Sequence, residues 1–75
     1  MNEDILQGKW KQIQGDVKRW WGKLTDDDIQ YIAGSSEKLV GILQERYGLN
    51  RQAAHEKVNE FLQDMQTRLK AHQVQ

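Results

Sequence analysis

Apolar residues recur at three- and four-residue intervals along almost the whole chain, and nowhere do they alternate over a strand length. The pattern predicts helices alone. A first helix is expected from about Asp4 to Trp21. At about 100° per residue, Leu6, Trp10, Ile13, Val17, Trp20, Trp21 and Leu24 share an arc of about 100°, the width of a core-facing stripe. Gly22 is expected to end this helix as a left-handed cap. Thr25 suits the N-cap of a short second helix, whose first turn holds Asp26, Asp27 and Asp28 and whose apolar face is Ile29, Ile32 and Ala33. Gly34 ends it. Ser35 or Ser36 caps a third helix that reaches Tyr47, with Leu39, Val40, Leu43 and Tyr47 on one face, Ile42 at its edge and Gly48 as the stop. Asn50 caps a fourth, and Leu49 can staple to Ala54. On this last helix Ala54, Val58, Phe61, Leu62, Met65 and Leu69 form one stripe, and the helix could reach His72, a length of roughly 33 Å.

Length limits what such a pattern can build. Seventy-five residues make one small domain, expected to span 1–75, and below roughly 70–80 residues a single core rarely supplies more than about 3–5 kcal/mol. There is no cysteine, which excludes disulfides and thiolate metal sites, so the stability has to come from helix packing or self-association. The longest apolar run is Tyr31-Ile32-Ala33, too short to span a bilayer. The start Met1-Asn2-Glu3-Asp4 lacks the basic and apolar regions of a signal peptide, and the expected compartment is the cytoplasm.

The six glycines fall into two series with a spacing of seven: Gly8, Gly15, Gly22 and Gly34, Gly41, Gly48. Each series ends in an aromatic residue, a glycine, a short turn and a new helix, which reads as two helix–turn–helix units. Gly8, Gly15 and Gly22 sit roughly opposite the tryptophan stripe. A mid-helix glycine costs about 1 kcal/mol relative to alanine. Such positions are either tolerated wear or a smooth strip for close approach.

Two stretches carry a family resemblance. G-x-W-K-Q-x-x-G-x-V-K-x-x-W-G-K-L-T-D-D-D runs from Gly8 to Asp28, and G-x-x-x-x-L-V-G-x-x-Q-E-R-Y-G runs from Gly34 to Gly48. Together they resemble the CsbD-like small bacterial general stress proteins, over about two thirds of the chain. The resemblance implies an all-α bundle of four helices, two helical hairpins packed crosswise in a SAM-like manner, here with a long C-terminal helix. It also implies a role in bacterial stress responses and supplies no catalytic residues. Two departures stand out. Asp16 occupies a position that is usually basic, and the apolar stripe of the last helix continues past Phe61.

The ionisable residues fit that picture. Three consecutive aspartates on a helix point about 100° apart and cannot converge on one ion, so compensation of the helix dipole explains them better than a metal. His55 and His72 lie on different faces of one helix. Phosphate-binding, dinucleotide-binding and nucleophile-elbow motifs are all missing. An enzyme is not expected, nor a cofactor, a metal or a small-molecule substrate. Trp10 and Trp21 are expected in the core, with Trp20 the tryptophan that reaches solvent.

Charge is polarised although the chain is neutral overall. Residues 8–23 carry Lys9, Lys11, Lys18, Arg19 and Lys23 against Asp16, a local +4. Residues 25–37 carry Asp26, Asp27, Asp28 and Glu37, a local −4. The basic strip beside Gly15 could meet phosphates, or could pair with a neighbouring acidic turn. On the last helix Ala54, Val58, Phe61, Met65, Arg68 and His72 follow a heptad-like seam whose far end, at Met65 and Leu69, is expected to lack cover. The expected interaction surface is therefore Lys9, Lys11, Gly15, Lys18, Arg19, Met65 and Leu69. An unidentified protein partner or a weak homodimer ranks ahead of nucleic acid, and no membrane partner is expected.

Overall fold

Side-chain caps set where three of the four helices begin. In a computed structural model that describes the backbone of residues 6–73 and side-chain burial for residues 6–68, Thr25, Ser35 and Asn50 each accept a hydrogen bond from the backbone of the following turn. Such caps satisfy amide groups that a helix start otherwise leaves unpaired. The helices are α1 (Trp10–Trp20), α2 (Asp26–Ile32), α3 (Ser36–Tyr47) and α4 (Arg51–Gln73). Gly48 ends α3 in the left-handed conformation, with φ of 67°. These are the four expected helices of an all-α protein.

The start of the chain is organised differently from the expectation. Asp4 lies outside the described residues. Residues 6–8 form a separate helical turn, and Lys9 breaks it from α1 with φ of −115° and no side-chain cap. Gly8 weakens helix at this point, and Lys9 offers no short side-chain oxygen to cap the new start. Leu6, on this separate turn, is fully buried. Gly22 is not left-handed either. Trp21 closes α1 outside the helical region, at φ −126° and ψ 84°, and its amide still bonds to the Val17 carbonyl. Ala33 was expected on the apolar face of α2. Instead it is exposed and takes the left-handed position after that helix, with φ of 46°.

Gly34 has a task of its own. Its φ is +86°, and a Cβ there would lie 3.2 Å from Gln7 Cα. Both the turn and the close approach of residues 6–8 require glycine.

The core is one cluster drawn from every element. Ile13 and Val17 come from α1, Ile29 and Ile32 from α2, and Leu39, Val40, Ile42 and Leu43 from α3. The contribution of α4 is Ala54, Val58, Phe61, Leu62 and Met65. Phe61 is fully buried and packs against Trp21 and Trp20, with ring centroids 5.1 Å away in each case. Trp21 is buried as expected, whereas Trp10 is only half-buried and packs at the margin of the cluster. It is the first residue of α1, just after the break at Lys9. Among the described residues no helix is long and apolar enough to cross a membrane.

Candidate functional site

The two sequence motifs meet in space. Thr25 and Asp28 form a reciprocal capping box: the Asp28 amide donates to Thr25 Oγ1 at 3.1 Å, and the Thr25 amide donates to Asp28 Oδ2 at 3.0 Å. Arg46, eighteen residues further on in the Q-E-R-Y-G stretch, then grips the same carboxylate. Its Nε donates to Oδ2 at 2.9 Å and its Nη2 to Oδ1 at 2.7 Å. One residue beyond, the Tyr47 hydroxyl accepts from the Lys23 amide at 3.2 Å, and the Lys23 ammonium lies 5.2 Å from the Tyr47 ring centre. W-G-K-L-T-D-D-D and Q-E-R-Y-G are thus two halves of one junction.

Asp28 is the buried charged side chain of the described residues, at 4% exposure. Burying a carboxylate is costly unless it is paired and hydrogen-bonded, and here both oxygens are used. The Arg46 guanidinium, then the Thr25 amide, hold the Asp28 carboxyl down to about 2, against a modest opposing effect of burial. Arg46 is shifted upward in return, chiefly by its hydrogen bonds to Asp28. The expectation that all three aspartates merely face the helix dipole is therefore corrected at Asp28. Asp26 and Asp27 remain exposed.

The expected basic surface is only partly assembled. Lys18 Nζ lies 2.6 Å from Asp26 Oδ1, and Arg19 pairs with Asp16 on the same helix. The local positive strip is thereby tied to the acidic start of α2 and to the residue that departs from the family pattern. Lys9 and Lys11 are exposed and pair with no acid among the described residues. Gly15 is exposed, and among the described residues nothing lies within 4 Å of where its Cβ would be, so none of them uses it for close approach.

The far end of α4 is not bare at Met65, which is 2% exposed. Met65 and Leu6 belong to the same buried cluster. Arg68 pairs with Asp64 one turn back, at 3.1 Å. The side chain of Leu69 lies outside the described residues. The structure does not bring Met65 together with the basic residues as one surface; it places Met65 in the core.

A different feature stands at the junction of α1 and α4. Trp20, 40% exposed, rests edge-on against Phe61 and beside Trp21. With Trp21, Tyr47, Leu49, Lys57 and Glu60 it lines an apolar notch. The Trp20–Trp21 doublet was the available signal, since adjacent residues about 100° apart stand at opposite edges of the core-facing arc and Trp20, at one edge, is only partly covered. The contributions of Leu49 and Lys57 had no such signal. Tyr31 is the other exposed aromatic, with the Lys38 ammonium 5.1 Å from its ring centre. Among the described residues no group of three or more side chains is placed to hold a metal ion.

Comparison with known proteins extends these observations. A family model described as CsbD-like matches residues 4–56. A UPF0337 protein of Pseudomonas aeruginosa is 52% identical over 61 residues, covering 81% of this chain and 94% of that protein. The UPF0337 protein YjbJ of Escherichia coli K12 is 52% identical over 58 residues, covering 77% of this chain and 84% of that protein. A UPF0337 protein of Bordetella pertussis is 49% identical over 61 residues, covering 81% of this chain and 92% of that protein. No solved structure matches the chain.

Proposed function

This chain belongs to the CsbD-like family of small bacterial stress proteins, and from that premise we propose that it acts by binding a protein, without catalysis. The observation that carries the reading is the exposed face of Trp20 in its apolar notch. Trp and Tyr supply much of the energy of protein contacts, because a large rigid ring buries area at little entropic cost. Phe61 and Trp21 hold the Trp20 ring from behind, so little ordering is left to be done on binding. Asp28 supports the same reading. Its carboxylate is fully committed to Thr25 and Arg46, so the charge buried at the motif junction holds the fold together.

Capture from stressed bacteria tests this. Nuclease-treated and untreated lysates are compared for the wild type and for Trp20→Ser. Partner proteins retained after nuclease treatment and lost with Trp20→Ser are the expected result. Capture that disappears with nuclease and ignores Trp20 overturns it.

A second reading, weak association with nucleic acid through the first helix, has one observation in its favour: Lys9 and Lys11 stand exposed without acidic partners among the described residues. It ranks lower because Lys18 and Arg19 are already engaged by Asp26 and Asp16. Binding of this kind falls steeply with salt and is abolished by Lys11→Glu with Lys18→Glu.

A further inference from the structure

The notch between α1 and α4 has a rim of unusual charge symmetry. Lys57 and Glu60 stand three residues apart on α4 and both line the notch. Residues at that spacing are neighbours on a helix surface and are able to pair. They do not pair with each other here, nor with any other charged side chain among the described residues. Between them and the end of α1 lies the open face of Trp20, with the half-buried Tyr47 and Leu49 beside it. An apolar floor flanked by one cation and one anion, each without a partner, has the chemistry of an interface core with its polar rim.

The α4 edge of the notch carries one charge of each sign, with the Lys23 ammonium elsewhere on the rim over the Tyr47 ring. That α4 edge is complementary to itself. When two copies meet about a two-fold axis with their α4 helices antiparallel, the order of residues along one helix is reversed on the other. Lys57 of each chain then faces Glu60 of its mate, and both pairs form at once. The chain has no net charge, so no long-range repulsion opposes the approach of a second copy. We propose that the notch binds a second copy of this chain, notch to notch, with each Trp20 seated against the mate's Tyr47 and Leu49. The proposal rests on the reading that the notch binds protein, and it names the occupant. The contact lies at the first half of α4, away from the Met65–Leu69 end where the sequence pattern placed self-association. The notch is small beside the roughly 800 Å² per partner of a standard interface, so the dimer is weak and exchanges rapidly.

Sedimentation equilibrium of the full chain, from about 10 µM to about 1 mM, is the test. Wild type is expected to rise from its monomer mass of 8.8 kDa toward twice that value. Lys57→Glu makes both α4 rim charges acidic and Glu60→Lys makes both basic. Lys57 and Glu60 are exposed, so circular dichroism of each variant is expected to match wild type. Each variant alone is expected to associate at least tenfold more weakly, because like charges then oppose each other across the axis. An equimolar mixture of the two variants is expected to regain wild-type association, since every α4 rim position then meets its opposite. Wild type that stays monomeric at the highest concentration overturns the proposal. So do single variants that associate as well as wild type, or a mixture that fails to recover. Quenching of tryptophan fluorescence by an oligonucleotide, with no concentration-dependent change of mass, assigns the notch to a nucleobase and also overturns it. Partner capture that depends on Trp20 in a chain shown to be monomeric removes the second copy as occupant and leaves the broader protein-binding reading standing.

Discussion

The junction of α2 with α3 and the basic face of α1 are both built from opposite charges, yet they differ in what holds them. At the junction one carboxylate is buried, takes hydrogen bonds from two directions and ties the start of one helix to the end of another. On α1 the pairs of Lys18 with Asp26 and Arg19 with Asp16 join side chains that stand largely in water, apart from Asp16. Exposed pairs contribute little, because solvent screens them and long side chains lose freedom in forming them. The difference teaches that the charged residues of the two motifs do unlike jobs. Asp28 and Arg46 specify how helices meet, and the charges of α1 stand at a surface where their pairs add little to the fold.

The comparison can be broken most directly at Asp28. Asp28→Ala removes the hydrogen bonds to Thr25 and leaves Arg46 without its partner. We expect a loss of about 2 kcal/mol or more, some 10 °C in melting temperature for a chain of this size. A thermal melt followed by circular dichroism checks this, and a shift below about 2 °C would contradict the role assigned to the junction.

Acid titration sharpens the same contrast. The Asp28 carboxyl is lowered from 3.8 to about 2 by folding, so it is the folded state that prefers the ionised form. Its contribution is therefore fully present above the unfolded value and is lost as pH falls from about 4 toward 2. Wild type is expected to lose stability across that window. Asp28→Asn is expected to show a flatter dependence there, measured as denaturant midpoint against pH.

Smaller effects are expected on α1. Gly15 lies inside that helix with nothing near its missing Cβ, so Gly15→Ala should stabilise the protein by up to about 1 kcal/mol. Destabilisation would mean that something presses on this face. Lys18→Ala, which deletes an exposed pair, should change stability by no more than about 0.5 kcal/mol. A larger loss would place α1 in the same class as the junction and erase the distinction.

Local chemistry was what the sequence made legible. Thr25, Asn50 and Gly48 were readable because a cap acts on its own turn, and Trp21 and Phe61 because a core stripe follows the helical period. What escaped depends on tertiary approach. Nothing near Asp28 in the chain signals Arg46, eighteen residues away, as its partner. The break at Lys9 was hidden because the apolar period runs through it unbroken from Leu6 to Trp10. The Met65 end looked uncovered because periodicity on one helix does not show which other elements pack against it. The candidate site shows the same limit: the doublet exposed Trp20, but its neighbours Leu49 and Lys57 arrive from another helix and the turn before it.

Gly15 and Gly41 have a consequence for how readily the chain is opened to a protease. Both lie in helix interiors, and neither serves a turn or a contact. Relative to alanine, each raises the population of locally opened helix about fivefold, the factor that about 1 kcal/mol sets. Proteases act on opened chain, and their rate follows that population when closing is fast. Two unshielded glycines thus raise the fraction of the chain open to attack, and Gly15→Ala with Gly41→Ala is expected to slow digestion by an added protease.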